Sequence, residues 1–286
     1  MKKLNDTQSA EAVDMYVSGR SLESVGEAFG VSLETIRNRV ILAGVNRRSR
    51  ARIRKTKNES FFKSIDCESK AYFLGLLIAD GNVSKGYVRL SLVESDRHII
   101  ESFANELEST NKIYTRVRRD GNSRNQACFA LNSQEIVGDL AALGVSERKS
   151  FTVVPPEIET NLRRHMVRGM IDGDGCLSVS KRGEIRVILA GSHGTCNYFA
   201  DWVNELFGHR PSVMKSGSIY RVNVCGDRLV GEVVAELYIG AGFKLNRKAA
   251  IAERILSGGE VNGKPTVAPQ STRKLYPLVL EHRLEA

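Results

Sequence analysis

Apolar residues recur at helical spacing in three short segments near the start of the chain, over residues 12–16, 22–29 and 33–41. Gly30 follows the second segment, where a left-handed residue would close a tight turn between helices. Ser32 stands where the third helix needs an N-cap. The pattern therefore predicts a small all-α domain with helix-turn-helix geometry over residues 1–46.

The main body of the chain, from about residue 66, contains an internal repeat. Residues 71–81 (AYFLGLLIADG) and 165–175 (HMVRGMIDGDG) each form an apolar helical segment with one internal glycine and an Asp-Gly ending. Strands and helices then follow in the same order, so both copies read αββαββα. Strands are predicted at residues 87–93, 113–118, 127–131, 184–189, 211–215 and 219–224, and helices at 97–107, 135–143, 195–206 and 228–237.

The predicted fold class is α+β, a pseudo-twofold tandem αββαββα repeat preceded by the small all-α domain. The predicted parts are a helix-turn-helix domain at 1–46, a basic linker at 47–65, a first half at 66–158, a second half at 159–256 and a loop-rich tail at 257–286. The tail carries no motif that indicates a chemistry.

Composition places the chain among ordinary globular proteins, since 42% of its 286 residues are hydrophobic and 26% are charged. No segment approaches about eighteen uninterrupted apolar residues, so no membrane span is expected. Because no apolar leader follows Met1, we expect a cytoplasmic location in a bacterial or phage-infected cell, with an organelle as the alternative. The five cysteines are widely spaced and predict reduced thiols.

Positive charge is concentrated at the N-terminus. The net charge is +9, and residues 1–57 hold twelve Lys and Arg against six acidic residues, which accounts for +6. The basic run over 47–57 is suited to lie along phosphates, and the third helix could enter a major groove. The DNA contacts predicted here are Ser32, Thr35, Asn38, Arg39, Arg47, Arg48 and Arg50. A plain three-helix bundle followed by a solvated linker is the alternative.

The internal glycines of the two repeat helices, Gly75 and Gly169, each cost helix stability and so need a compensating reason. Close approach of the two helix backbones supplies one. Asp80 and Asp174 would then lie close together, both at the negative ends of helix dipoles. A hard divalent cation such as Mg²⁺, or Mn²⁺, would relieve that repulsion, so both acids are predicted metal ligands and catalytic residues.

These two segments resemble the signature motifs of the LAGLIDADG homing endonuclease family, in its single-chain form with two motifs. The resemblance covers roughly residues 66–255, and the second copy, residues 169–175, is the more specific. The first copy departs at its sixth position, Ile78, but both copies keep the acid at the eighth. The resemblance implies a saddle of two four-stranded sheets over the major groove. It also implies cleavage across the minor groove with short 3′ overhangs.

The same resemblance implies a basic active-site residue late in each half. Lys149 holds that place in the first half and Lys248 in the second, with Lys244 as the fallback. A lysine can stabilise charge on the phosphoryl group in the transition state or help to activate water. Glu94 follows the strand at 87–93 and could hold a metal-bound water, although a role as a first-turn acid before the next helix fits equally.

The strands alternate between apolar and polar positions, as expected of sheets with one packed face and one wet face. Arg can address guanine and Asn adenine, so the wet faces could read a long DNA site. The outward positions predicted to contact DNA are Arg89, Arg116, Arg118, Arg186, Lys215, Arg221 and Asn223.

The predicted function is a site-specific double-strand DNA endonuclease that depends on Mg²⁺ or Mn²⁺. It would act as a monomer on a long, asymmetric target, without a membrane partner. Two alternatives remain open at this point. One is a catalytically silent DNA-binding regulator on the same scaffold, and the other is an intron RNA maturase, for which intron RNA would be the partner.

Overall fold

The computed structural model describes residues 4–45, 56–117, 124–147, 149–179, 184–258, 260–261 and 264–265. The chain divides into two compact units, Met1–Arg54 and Lys55–Ala286. Each unit has its own hydrophobic core.

Three helices form the N-terminal unit: α1 (Asp6–Val17), α2 (Leu22–Phe29) and α3 (Leu33–Leu42). Each begins at a side-chain N-cap, and Gly30 ends α2 in the left-handed conformation at φ +64°. Their apolar stripes meet around Tyr16, Val25 and Ile36, all buried. The predicted three-helix unit and its glycine turn are therefore confirmed.

The second unit begins with one complete repeat. Its elements are α4 (Glu68–Asp80), β1 (Gly81–Ser84), β2 (Tyr87–Val93), α5 (Arg97–Glu106), β3 (Tyr114–Arg116), β4 (Gln126–Asn132) and α6 (Gln134–Ala142). The strands form an antiparallel sheet in the order β1-β2-β4-β3. Short 3-10 helices lie at Glu94–Asp96 and Lys149–Phe151.

The second repeat has the same order. Its elements are α7 (Thr160–Asp174), β5 (Gly175–Val179), β6 (Ile185–Gly191), α8 (His193–Phe207), β7 (Val213–Ser216), β8 (Ile219–Cys225) and α9 (Asp227–Tyr238). Its sheet has the order β5-β6-β8-β7, matching the first strand for strand. The predicted α+β tandem repeat is confirmed. A further helix, α10 (Asn246–Ser257), follows the repeat and is an element that the pattern did not predict.

The core of the second unit lies between the two sheets and the central helix pair, α4 and α7. Val88, Leu90 and Leu92 of β2 point into it, and the residues between them stay half-exposed, as the alternation predicts. Within the described part of the chain, no helix is long and apolar enough to cross a membrane.

One predicted boundary is wrong. The basic linker cannot extend to residue 65, because Phe61 and Phe62 are buried in the core, with their rings edge to face at 4.8 Å. The backbone N–H of Asn58 also donates to the carbonyl of Leu107, which ties this segment to the first half. The predicted loop-rich tail contains one short strand pair, in which β9 (Glu260–Val261) pairs with β10 (Lys264–Pro265).

Candidate active site at the central helix pair

The two central helices touch backbone to backbone at their glycines. A Cβ atom at Gly75 would lie 2.0 Å from the carbonyl oxygen of Met166, and one at Gly169 would lie 2.2 Å from that of Tyr72. Gly173 is equally confined, since its Cβ would lie 2.3 Å from the Cβ of Ala79. The prediction that the glycines permit close helix approach is confirmed, and Gly173 extends the contact to the C-terminal ends.

Asp80 and Asp174 are the last residues of α4 and α7, and both are exposed to solvent. The surrounding protein still removes water from the carboxylates, which raises the pKa of Asp80 to about 6, and the charge of Asp174 raises it further. The pKa of Asp174 is raised by the same loss of water. The two acids therefore form one electrostatically coupled pair that is open to solvent, as the repeat predicts.

A buried lysine lies at the C-terminal end of each helix of the pair. Nζ of Lys149 donates to the carbonyl oxygens of Ile78 at 2.6 Å and Ala79 at 3.2 Å, in the last turn of α4. Lys248, in the first turn of α10, binds the end of α7 in the same way. Its Nζ acceptors are the carbonyl oxygens of Ile171 at 2.5 Å, Asp172 at 2.7 Å and Gly175 at 2.7 Å.

These lysines place positive charge where both helix dipoles are negative. Burial lowers the pKa of Lys149, and it lowers that of Lys248 to about 8. The positive charges of the two lysines lower the pKa values of both acids. Lys248 has the larger effect on the pKa of Asp80, and Lys149 has the larger effect on the pKa of Asp174. The fallback residue, Lys244, donates instead to the carbonyl of Ala241, so the geometry favours Lys248 at this place.

Removing the charge of Asp80 should stabilise the folded chain at neutral pH. A carboxyl group with a raised pKa favours folding below its unfolded value of 3.8, and that contribution is lost as the pH rises through about 6. In metal-free buffer, Asp80→Asn should therefore unfold at higher denaturant than wild type at about pH 7.5, with a smaller difference near about pH 4. The same difference at both pH values would contradict the raised pKa.

Glu94 forms an ion pair with a neighbouring arginine, and its role in holding a metal-bound water stays a prediction. It begins the 3-10 helix after β2, and its Oε1 accepts from Nε of Arg97 at 2.5 Å, one helical turn along the chain. No group of three or more metal-ligating residues occurs among the described residues. The candidate metal ligands are thus Asp80 and Asp174.

The surroundings of the acid pair differ between the two halves. At the end of β6, Ser192 caps α8 by accepting from the N–H of Thr195 at 2.9 Å, and its hydroxyl donates to the carbonyl of Val153. A cavity of about 240 Å³ lies beside Asp174, and its lining includes Ser150, Ser192 and Thr195.

Strand register decides which predicted DNA contacts share the outward faces. Arg89 of β2 pairs with Ala130, and Arg116 of β3 pairs with Gln126, so both lie opposite the buried positions of the first sheet. Arg118 lies outside the described residues.

The second sheet has the same outward face, with one correction. Arg186, Arg221 and Asn223 lie on it, and Arg186 is also paired with Glu184 at 2.7 Å. Lys215 does not lie on the outward face. It pairs with Tyr220, which shares the packed face of β8 with the buried Val222, two residues along the strand. In the register of β7, the outward position belongs to its neighbour, Met214, which pairs with Arg221.

In the N-terminal unit, Ser32 and Thr35 are linked through the cap of α3, where the Ser32 hydroxyl oxygen accepts from the Thr35 N–H at 3.2 Å. Asn38 is exposed and Arg39 is half-buried on the same helix. The predicted contacts of the basic arm, Arg47, Arg48 and Arg50, lie outside the described residues.

Sequence reasoning missed a buried polar network beside the site. Asp172 and Arg168, both on α7, are fully buried, and their partners come from the first half and from the segment before α10. The occurrence of Asp at the sixth position of only one motif copy was the available signal.

No protein-family model matches this chain, and no curated protein matches it. Among solved structures, it is similar to the I-LtrWI LAGLIDADG homing endonuclease bound to target DNA, at 14% identity over 69% of this chain and 89% of that one, with a TM-score of 0.46. It is also similar to I-DmoI in complex with DNA and Ca, at 20% identity over 69% and 99% of the two chains, with a TM-score of 0.43.

A third similar structure is full-length DUF199/WhiA from Thermatoga maritima, at 12% identity over 80% of this chain and 74% of that one, with a TM-score of 0.45. The fold of this chain is defined by its own topology. Two glycine-bearing helices pack against each other, end in Asp-Gly, and each lead into a β-β-α-β-β-α unit. This is the topology that the resemblance to the LAGLIDADG motifs implies.

Proposed function

We propose that this chain is a site-specific double-strand DNA endonuclease. The observation that carries the proposal is the pair of solvent-exposed carboxylates, Asp80 and Asp174, at the C-terminal ends of α4 and α7. A buried lysine binds backbone carbonyls at each of these two helix ends. A pair of exposed acids with raised pKa values is unfavourable in an apo protein. It is favourable if a hard cation and a phosphate complete the site.

The chemistry of the donors fits Mg²⁺ or Mn²⁺, because both acids offer carboxylate oxygens. Asp80 and Asp174 would hold such an ion, and its positive charge would supply polarisation of a scissile phosphate and a lower pKa for an attacking water. The buried charges of Lys149 and Lys248 hold the helix ends and favour the ionised form of both acids. All three Nζ protons of Lys248 have carbonyl acceptors, so we assign it an electrostatic role without direct phosphate contact.

The outward sheet faces would carry the DNA. Arg89, Arg116, Arg186, Arg221 and Asn223 share these faces, and β1 and β5 begin directly after the two acids. The halves differ in sequence at every outward position just named, which favours an asymmetric target.

The test begins with binding and ends with cleavage. The full chain is incubated with double-stranded fragments that join the sequences flanking its gene, mixed with fragments carrying a randomised segment. Retained fragments are sequenced and then incubated with the chain and Mg²⁺. Enrichment followed by a double-strand cut with 3′ overhangs is the expected result. Enrichment without a cut would replace the proposal by a DNA-binding regulator, and no enrichment would overturn both.

Removing the N-terminal unit should weaken DNA binding without abolishing cleavage. Residues 1–54 hold ten Lys and Arg against six acidic residues, and we propose that they extend the footprint on DNA. A chain beginning at residue 55 should bind with lower affinity and with a shallower dependence on salt, by about 0.9 in log–log slope for each DNA phosphate that the unit neutralises. Binding isotherms at several salt concentrations measure this, and an unchanged slope would exclude phosphate binding by this unit.

A further inference from the structure

The carboxylate of Asp172 has a different task from that of Asp174, two residues along α7. It is fully buried and accepts three hydrogen bonds, from Oη of Tyr238 at 2.7 Å, the N–H of Leu245 at 2.8 Å and Oη of Tyr72 at 2.9 Å. Tyr72 belongs to α4, whereas Tyr238 and Leu245 flank the segment that connects α9 to α10. Asp172 therefore ties this segment to both central helices.

The tie leads directly to Lys248. Leu245 is the N-cap residue of α10, and its carbonyl accepts from the backbone N–H of Lys248 at 3.0 Å. The backbone carbonyl of Asp172 accepts from Nζ of the same lysine at 2.7 Å. One residue thus holds both the start of the lysine-bearing helix, through its side chain, and the ammonium group, through its backbone.

Arg168, one turn earlier on α7, holds the same connecting segment from the other side. Its guanidinium donates to the carbonyls of Phe243 at 2.7 Å and Leu237 at 3.0 Å, and to Oε1 of Glu68 at 2.6 Å. That Glu68 oxygen also accepts from the N–H of Gly242 at 2.8 Å. Together, the buried Asp172 and Arg168 and the half-buried Glu68 form a polar clamp on the segment that precedes α10.

Among the described residues of the first half, the corresponding motif positions carry no such clamp. The positions equivalent to Arg168 and Asp172 in the first motif are Leu74 and Ile78, both buried and apolar. Lys149 is thus held at the end of α4 without charged residues at these two motif positions. The polar pair on α7 is specific to the lysine of the second half.

We infer that Asp172 is a positioning residue that fixes Lys248 at the end of α7, and that Lys149 is positioned independently of it. A side chain held by a buried anchor keeps its geometry only while the anchor keeps its partners. Loss of the Asp172 carboxylate should therefore release Lys248 and leave Lys149 in place. The consequence for cleavage rests on the proposed endonuclease function, whereas the consequence for the lysine itself does not.

The first experiment measures the lysine without DNA. Wild-type chain and Asp172→Asn are treated briefly with acetic anhydride, and acetylation of each lysine is followed by mass spectrometry. Lys248 should be acetylated about tenfold faster in the variant, since its buried anchor has fewer acceptors. Lys149 serves as the internal reference and should be unchanged. Equal increases at both lysines, or continued protection of Lys248, would overturn the inference.

Matched variants separate positioning from general loosening. Val224→Ala removes buried methyl groups from β8 away from the clamp, and it should lower stability without exposing Lys248. Tyr238→Phe removes one hydrogen-bond donor to Asp172. It should also speed the acetylation of Lys248, by a smaller factor than Asp172→Asn does. If Asp172→Asn does not fold, as judged by circular dichroism, Tyr238→Phe decides the question, and protection equal to wild type would refute the inference.

The second experiment uses DNA that the wild-type chain cuts, with the two strands labelled differently. Asp172→Asn should slow the cleavage of one strand by about tenfold and leave the other near the wild-type rate, so that nicked DNA accumulates. Equal slowing of both strands would contradict a role confined to Lys248. If wild type cuts no DNA, the proposed function fails, and the acetylation result still decides the positioning of Lys248.

Discussion

Replacing both Asp80 and Asp174 by Asn should abolish cleavage, with a loss of roughly 1,000-fold or more, and should leave DNA binding almost unchanged. Asn keeps the size of the side chain but removes the negative charge that a hard divalent cation requires. Both residues are exposed at the ends of their helices, so the substitution should not disturb packing. In the proposed function, DNA binding would depend instead on the basic residues of the sheet faces and the N-terminal unit.

The measurement is a single-turnover assay with each strand labelled, at saturating protein and Mg²⁺, alongside a binding isotherm in Ca²⁺. Each single variant should lose at least one of the two strand cuts, and the double variant should lose both. Glu253→Gln, which removes an exposed carboxylate from α10, is the matched control and should cut at the wild-type rate. A double variant that cuts like wild type would exclude the proposed mechanism.

The tandem architecture was predictable because two copies of the same motif occur in the sequence. Each copy has a glycine inside an apolar helix and an Asp-Gly ending, and those two features alone place Asp80 and Asp174 together. The lysines were less accessible to such reasoning. Lys149 and Lys248 came from resemblance, and only the structure shows that both bind carbonyls at the helix ends.

The role of Asp172 was hidden by its similarity to Asp174. Neighbouring helix residues are about 100° apart, so two acids separated by two positions point in nearly opposite directions. Asp174 reaches solvent, and Asp172 faces the buried contact with α4 and α10. Neither residue type nor motif position distinguishes these directions, because they depend on which face of α7 is covered.

Helix α10 escaped prediction for a related reason. Its inward face includes Lys248, which is buried only because three carbonyl groups receive its protons, so the apolar stripe is interrupted. Lys215 was misassigned because β7 is a short edge strand in which no residue is buried. Its parity is set by pairing with β8, and that register is a tertiary property.

Gly169→Ala should destabilise the folded chain by about 3 kcal/mol or more. The added Cβ would lie 2.2 Å from the carbonyl oxygen of Tyr72 and 2.7 Å from the backbone nitrogen of Leu76. Both are backbone atoms of α4, which cannot rotate away as a side-chain end can. Relief therefore requires the two helices to separate, and that separation would also move Asp174 away from Asp80.

Chemical denaturation of the full chain measures this, with Gly138→Ala as the matched control. Gly138 is also inside a helix, α6, but a Cβ there meets nothing within 4 Å. The control should therefore gain about 0.5–1 kcal/mol from higher helix propensity. The two Gly→Ala substitutions should therefore change the free energy of unfolding in opposite directions. That difference would separate the effect of the α4–α7 contact from the effect of helix propensity. A gain in stability for Gly169→Ala would show that α4 and α7 do not approach as closely as the acid pair requires.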